Sequence, residues 1–447
     1  MNWTAKVMVK QSMAEIATLE HALLDMVKAQ EAGLTSLSPR LRALRRNAAQ
    51  HFSEKGFPAR QDEAWRWTDL SLLREPSPAA VKFPAEPAKM DGPFAGLDAW
   101  RMFFVNGELQ TSASDLPPGV CAQSLRTALQ QDESLADQLG DCAGSPFLAL
   151  NTALLNDGAY IRIAADIQVA KPLHLVFFNT ANAQIRNLIV LEPRASATLL
   201  ETHYGPAGAD YFVNSASDVQ LGPRARLAHY RDQAESRNAL HFYFLNIRQD
   251  AQTHYDGFTL TCGARLSRLE THVEIAGSDA QCNLNGVSIL NGSQNGDITC
   301  VMNHLAPASN SRQMFRSVLD GKTRGIFQGL IRVAKPAQRT DATQQIKAML
   351  LSPHAVQNSK PELEIFADDV KCAHGASVGQ LDEAALFYLR ARGIEAAQAR
   401  ALLTGAFLGD AVAQIQGGEA LPAAQIQQNI QAAIDARLAQ VMVTENV

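Results

Sequence analysis

Cys372 and His374 stand two residues apart in a stretch with the character of a strand, so their side chains project from the same face. Just upstream, Leu363 and Ile365 alternate with Glu362 and Glu364 in the period-two pattern of a half-buried strand, which supports an extended backbone from Val370 to His374. A thiolate and an imidazole are borderline-soft donors that suit zinc, copper or iron. Two donors do not complete a tetrahedral shell, and no Cys-x-x-Cys occurs in the chain to add more. A metal centre built on this pair needs ligands from elsewhere, and a second subunit is the natural source. The same two residues also fit a buried small side chain and a hydrogen-bonded strand histidine.

Other chemical signals are weaker. Gly321-Lys322-Thr323 has the ending of a phosphate-binding loop, but Arg316 stands where that loop requires its first glycine. Backbone amides would not wrap a phosphate there, so no ATP is expected to be bound by this chain. The zincin pattern His-Glu-x-x-His is absent. His203, His229, His241, His254, His272 and His304 are scattered through a strand-rich region, where each reads first as a satisfied core or surface residue. Together they leave room for an internal path for sulfur or iron. Cys262, Cys282 and Cys300 read as buried small residues.

The elements that must position Cys372 and His374 change character along the chain. Ile16, Leu19, Leu23 and Val27 recur at helical spacing, and Ser38 with Pro39 announces a second helix whose buried stripe is Leu41, Leu44, Ala48 and Phe52, ended by Gly56. Pro76, Pro78, Pro84, Pro87 and Pro93 mark a connecting segment. A strand from Arg101 to Gly107 and helix-like sequence from Leu125 to Leu155 complete a mostly helical N-terminal part. From about Tyr160 to Val333 the period falls to two, with short strands at Tyr160–Ile163, Leu173–Phe178, Leu188–Leu191 and Leu240–Leu245. Leu191-Glu-Pro-Arg194 resembles Leu221-Gly-Pro-Arg224, and Gly263-Ala-Arg-Leu266 echoes both. Such recurrence fits a stacked solenoid; a β-sandwich would give similar strand lengths. After Gly379 helices return. Asp382 caps one, with Glu383 in its first turn, Arg390 and Arg392 at its end and Gly393 beyond. A final helix follows Pro422, with Ile426, Ile430, Ile434, Leu438 and Val441 as an apolar stripe that suits either this chain's core or a partner.

Composition narrows the function classes. Lys plus Arg number 40 against 45 Asp plus Glu, a net charge of −5 that argues against nucleic acid as a partner. Six cysteines without framework spacing suit a reducing compartment. No apolar run approaches the roughly 20 residues of a membrane span, and Met1 to Lys10 is not followed by the apolar stretch of a secretory signal. The expected compartment is the cytosol, with no membrane association.

Ala367-Asp-Asp-Val-Lys-Cys-Ala-His-Gly-Ala-Ser-Val-Gly379, followed by Leu386-Phe-Tyr-Leu-Arg-Ala-Arg-Gly393, resembles the C-terminal signature of the SufB/SufD family of iron-sulfur cluster assembly scaffolds. Gly375 follows the histidine where SufB has Glu, so the likeness is closer to the SufD branch. Asp341-Ala-Thr-Gln-Gln345, Met349-Leu-Leu-Ser352 and Ser359–Ile365 are similar to the family as well, as is Arg60-Gln-Asp-Glu-Ala-Trp-Arg-Trp-Thr-Asp-Leu70 near the N-terminus. Ile346 and Ala348 depart from it, standing where the family often carries Asn.

The resemblance implies a mainly β fold: a right-handed parallel β-helix core over residues 157–378, flanked by helical subdomains at 1–156 and 379–447. It also implies a non-catalytic scaffold that works with a SufB-like paralogue and a SufC-like ABC ATPase, the ATPase docked on the final helix, and that leaves room for a homodimer where the paralogue is missing. His374, with Cys372, would help hold a transient iron-sulfur cluster completed by the partner. Asp368 and Asp369 could orient the histidine or simply be solvated. Two other readings stand beside it: a solenoid enzyme acting on an acidic polysaccharide, which would need paired carboxylates in an open groove, and a purely structural adaptor.

Overall fold

A coil of parallel strands cannot bury its own apolar face, and this chain answers that by stacking coil on coil. The computed structural model describes residues 18–30, 37–59, 61–75, 90–140, 145–416 and 423–443. Three strands begin the β structure: β1 (Trp100–Val105), β2 (Glu108–Thr111) and β3 (Val120–Ser124). Each later pair then makes one coil, from β4 (Ala159–Ile163) and β5 (Leu173–Phe178) through β6 (Ala183–Leu191), β7 (Ser196–Tyr204), β8 (Phe212–Leu221), β9 (Arg226–Ala234), β10 (Leu240–Gln249) and β11 (His254–Thr261). The stack continues with β12 (Leu266–Ile275), β13 (Gln281–Leu290), β14 (Asn295–His304), β15 (Asn310–Leu319), β16 (Arg324–Val333), β17 (Asp341–Leu350), β18 (Val356–Ile365) and β19 (Lys371–Gln380). The odd strands from β5 onward form one parallel sheet and the even strands from β4 another, so the core is a parallel β-solenoid and not a sandwich.

The sheets reach back across residue 156. β1 lies parallel to β5 and pairs antiparallel with β2, while β3 pairs antiparallel with β4, so the N-terminal part expected to be mostly helical also closes the first end of the solenoid.

One corner repeats with a left-handed residue at Asp166, Arg194, Arg224, Gln252, Asp279, Ala308 and Arg339. The amide of each donates to the next coil, as in Arg194 N–H to Pro223 O at 2.9 Å and Arg224 N–H to Ala251 O at 2.9 Å. This ladder explains why Leu191–Arg194 and Leu221–Arg224 look alike: they are the same corner one coil apart. Gly263–Leu266 joins β11 to β12 and belongs to the opposite corner, so its likeness is local. Gly321, with φ 67°, turns β15 into β16, and Lys322 N–H donates to Gly292 O. A phosphate-binding loop leads into a helix; this corner leads into a strand.

Helices, together with Met90, Phe94 and Leu97 of the segment before β1, cover the outer faces, which is why β5 and β7 are buried along their whole length instead of alternating. On the even sheet lie α1 (Leu19–Gln30), α2 (Pro39–Lys55), α3 (Leu125–Gln131) and α4 (Pro146–Ala153). Leu19, Leu23 and Val27 are buried there; Ile16 falls outside the described residues, as do Pro76, Pro78, Pro84 and Pro87 of the proline-rich segment. Ser38 caps α2 by accepting from Leu41 N–H, Gly56 follows it at φ 66°, and its stripe is Leu41, Ala48 and Phe52, with Leu44 only half-buried. The segment around Trp65 docks on the same sheet. The Arg268 guanidinium lies 3.8 Å from the centre of the Trp65 ring, pairs with Asp297 and donates to Ala64 O at 3.1 Å, while Thr68 donates to Asp297.

α5 (Glu383–Ala391) packs on α6 (Ala396–Val412), which lies with α7 (Ala423–Val443) on the odd sheet. Asp382 caps α5 through Ala384 and Ala385 N–H, Arg390 sits in its last turn, and Gly393 follows at φ 85°. Ile426, Ile430, Ile434, Leu438 and Val441 are buried against Tyr230, Leu260, Val287, Ile289 and Val318 of the solenoid. This corrects the expectation that the stripe docks the ATPase: it is used up inside the chain. Ile430→Asp would bury an unpaired carboxylate and should lower stability by about 3 kcal/mol or more, whereas Gln428→Asp on the exposed side should stay within about 0.5 kcal/mol. Urea midpoints of the two variants check this; equal, small shifts would mean that the stripe is not core.

Candidate functional site

The last coil differs from every coil before it. β18 and β19 end the two sheets, so one edge of each has no strand beside it among the described residues. β19 is exposed almost throughout, and β18 is mostly half-buried, with Lys360 paired to Glu63 of the N-terminal part. Phe366 is 62% and Val378 47% exposed, with Val356 and Ile365 also open to solvent. Apolar side chains on uncovered strand edges are what soluble chains avoid unless something pairs with them.

Cys372 and His374 lie on this coil. In register, Cys372 stands beside Ala342 of β17 and His374 beside Gln344. Ala342, Gln344, Ile346 and Ala348 are all buried, so this parity of β17 points into the solenoid, and Cys372 and His374 share it. Cys372 is half-buried and packs with Leu363 and Val370 on the inner core. His374 is exposed because no further coil lies over it. The structure thus brings the two together on one inner face at the open end. Ile346 and Ala348, the two departures from the family pattern, line the same inner face as apolar residues.

The chemistry of the donors is set by this placement. Burial pushes the Cys372 thiol up from its ordinary range, against a smaller opposing effect of the Ala342 backbone. Beneath His374 a column of amides runs inward: Gln344 donates through Nε2 to Gln313 Oε1 at 2.9 Å, leaving Gln344 Oε1 and Gln313 Nε2 buried without partners. Asp368 and Asp369 are exposed on the preceding corner; Asp369 is tied down by its main chain, its amide donating to Gln338 Oε1 and its carbonyl accepting from Arg339. Gly375-Ala376-Ser377-Val378-Gly379 carries the Gly-x-Ser-x-Gly spacing of a nucleophile elbow. These residues lie within β19 instead of at a strand-to-helix turn, so Ser377 is not presented as a nucleophile.

The other histidines divide by environment. His304 is saturated, with Ser309 at 2.7 Å and Ser311 at 3.0 Å, and burial lowers its pKa to about 4. His254 contacts Gln281, and the half-exposed His272 contacts Glu270. His203, His229 and His241 are buried together inside the solenoid, close to Glu201 and Glu235. The two glutamates were not singled out from the sequence. A signal was there in Glu201-Thr-His203, two ionisable residues on the strand face that Ala197 and Leu199 make apolar. Cys262, Cys282 and Cys300 are buried, with thiols pushed upward by burial, to about 11 for Cys262 and about 12 for Cys300.

No helix among the described residues is long and apolar enough to cross a membrane. Two family models match the chain: "SufBD protein N-terminal region" over residues 17–175 and "SUF system FeS cluster assembly, SufBD core domain" over residues 177–407, which include Cys372 and His374. The chain is 33% identical over 424 residues to an iron-sulfur cluster assembly SufBD family protein of Synechocystis sp., covering 88% of this chain and 90% of that one. It is 28% identical to the iron-sulfur cluster assembly protein SufD of Escherichia coli, with 88% and 92% covered. It is also 28% identical to the chloroplastic protein ABCI7 of Arabidopsis thaliana, with 82% and 81% covered. With its N-terminal region and its solenoid both matched, the chain belongs to the SufBD family of the SUF system for iron-sulfur cluster assembly.

Proposed function

We propose that this chain is the SufD-type scaffold subunit of an iron-sulfur assembly complex, without catalytic turnover of its own, which pairs with a SufB-like paralogue and carries a SufC-like ABC ATPase. The observation that carries this reading is the uncovered last coil, with two free strand edges, an apolar rim and two metal-capable side chains on one inner face. A second solenoid set against β18 and β19 would satisfy their unpaired N–H and C=O groups, cover Phe366 and Val378, and bring further thiolates toward His374. In the absence of the paralogue the same edges suit a homodimer.

The cluster is the product that the complex builds and passes on. His374 offers an imidazole nitrogen. Cys372 must lose its proton to bind iron, and because burial raises its pKa, the thiolate forms with the metal instead of standing ready. A site of mixed imidazole and thiolate donors is sound iron-sulfur chemistry, and fewer tight thiolates favour release. The five described cysteines are all free, which supports a reducing compartment such as the cytosol.

With the α7 stripe buried in the chain, the ATPase is assigned to α5, where Phe387 is 75% and Tyr388 56% exposed; Leu402 of the following helix α6 is exposed too. Exposed aromatic side chains on a helical surface suit an anchored protein contact. The corner at Gly321–Thr323 gives no reason to assign nucleotide to this subunit.

Purification through a tag on this chain, co-expressed with the candidate partners, should recover an ATPase and a paralogue with a brown colour. Phe387→Asp should lower ATPase recovery at least 10-fold while the paralogue still elutes; recovery at the wild-type level would remove α5 as the contact. His374→Ala should leave the complex and its melting temperature unchanged yet lower iron and sulfide per complex, with Cys372→Ser milder. Unchanged cluster content in the His374 variant would remove the residue from the assembly site.

A further inference from the structure

Far from the open end, inside the solenoid, buried polar atoms converge without partners. Glu201 of β7 is completely buried and accepts from Tyr243 Oη at 2.9 Å, His203 Nε2 at 3.1 Å and His229 Nε2 at 3.1 Å. Burial works against its charge, but the hydrogen bonds from His203 and His229 hold its carboxyl well below the usual range. An ionised carboxylate only accepts, so the His203 proton is on Nε2 and its Nδ1 carries the lone pair. That Nδ1 is buried and has no hydrogen-bond partner. Burial pushes the His203 pKa down, outweighing the pull of Glu201, and keeps the ring neutral.

His241 and Glu235 lie on the other side. His241 Nδ1 and Glu235 Oε2 are 2.7 Å apart, yet neither atom is aligned for a hydrogen bond. Glu235 is oriented through its other oxygen, which accepts from Asn179 Nδ2 at 3.0 Å. Donor atoms of His203, Glu235 and His241 all fall within 4.8 Å of one another. The charges nearby do not balance. Glu201 and Glu235 face one guanidinium, Arg231, which is 4.2 Å from the Tyr243 ring centre and 3.3 Å from His241 Nε2. Two buried carboxylates thus share one guanidinium in a low-dielectric interior, which favours a bound cation.

We infer that His203, Glu235 and His241 form an internal site for a divalent transition-metal ion, Zn²⁺ or Fe²⁺, separate from Cys372 and His374. Two imidazoles and a carboxylate are the donor set these ions take, and Glu201 behind His203 fixes the ring and its tautomer as carboxylates do behind metal-bound histidines. On binding, His241 moves its proton from Nδ1 to Nε2, so no net proton is released there. Arg231 gives up its 3.3 Å contact and keeps its stacking on Tyr243. The site is independent of the assembly role proposed for the open end.

The test uses the full chain carrying Cys372→Ser and His374→Ala, so that metal at the open end cannot contribute. The protein is expressed with Zn²⁺, Co²⁺ or, anaerobically, Fe²⁺, desalted, and assayed for metal and thermal melting. About one equivalent should survive desalting, Co²⁺ should give visible ligand-field bands, and the metal should raise the melting temperature. Glu201→Gln should weaken retention about 10- to 100-fold. His203→Asn with His241→Gln should abolish both the bands and the thermal shift. Should that pair fail to fold, Glu235→Gln, which removes one donor at constant volume, should still weaken retention at least 10-fold. Metal-free parent protein after all three growths, or equal retention in the Glu235 variant, would overturn the site and leave water as the occupant.

Discussion

Every coil of a parallel β-solenoid depends on its neighbours for half of its backbone hydrogen bonds and for the cover over its inner face, so the stack is only as complete as its ends. In this chain the first end is closed from within, where β1, β2 and β3 turn antiparallel or fold back on the first coil. The last end is left open. The family's C-terminal signature lies on that unfinished coil, and the two residues with metal chemistry face the gap where a further coil would go. The same stacking rule thus fixes the fold and leaves a site that a second subunit can complete.

The covers are held by apolar area and also by buried charge. Arg268 is clamped between the Trp65 ring and Asp297, and Arg437 of α7 approaches the buried Asp232 at 3.8 Å. Breaking such a pair from one side leaves an uncompensated buried charge, at a cost of about 3–5 kcal/mol, so these contacts fix where each helix sits. Most of the exposed large apolar side chains lie on the last coil and on α5 and α6. Inside the solenoid the polar cluster around Glu201 and Glu235 interrupts the apolar core, and there the usual rule that buried polar groups are paired fails for several atoms at once.

Much of the fold was legible because local signals and tertiary demands agree. Ser38, Pro39, Gly56, Asp382 and Gly393 mark helix ends by their own chemistry, and the repeated Leu-x-Pro-Arg corner recurs because Arg194 and Arg224 occupy one ladder of left-handed turns. The parity of Cys372 and His374 followed from the strand period alone. Less legible was what covers what. The period-two signal is lost in β5 and β7 because the segment of Met90, Phe94 and Leu97 and the helices beyond it bury their outer faces, and the α7 stripe could not reveal whether it meets this chain or another, since the apolar pattern is the same either way. The Glu201 cluster was missed for a related reason: its members come from β7, β9, β10 and the corner at Glu235, and only the register of the coils brings them together.

The claim that the open coil is a pairing surface is tested most directly by backbone hydrogen exchange in β18 and β19, compared between the isolated chain and the complex with a SufB-like paralogue. Edge amides with no acceptor should exchange within seconds in the isolated chain and slow by orders of magnitude in the complex, while β11 to β15 stay protected in both. Exchange in β18 and β19 that is unchanged by the paralogue would contradict the account, because the unpaired edges would then have no part in assembly.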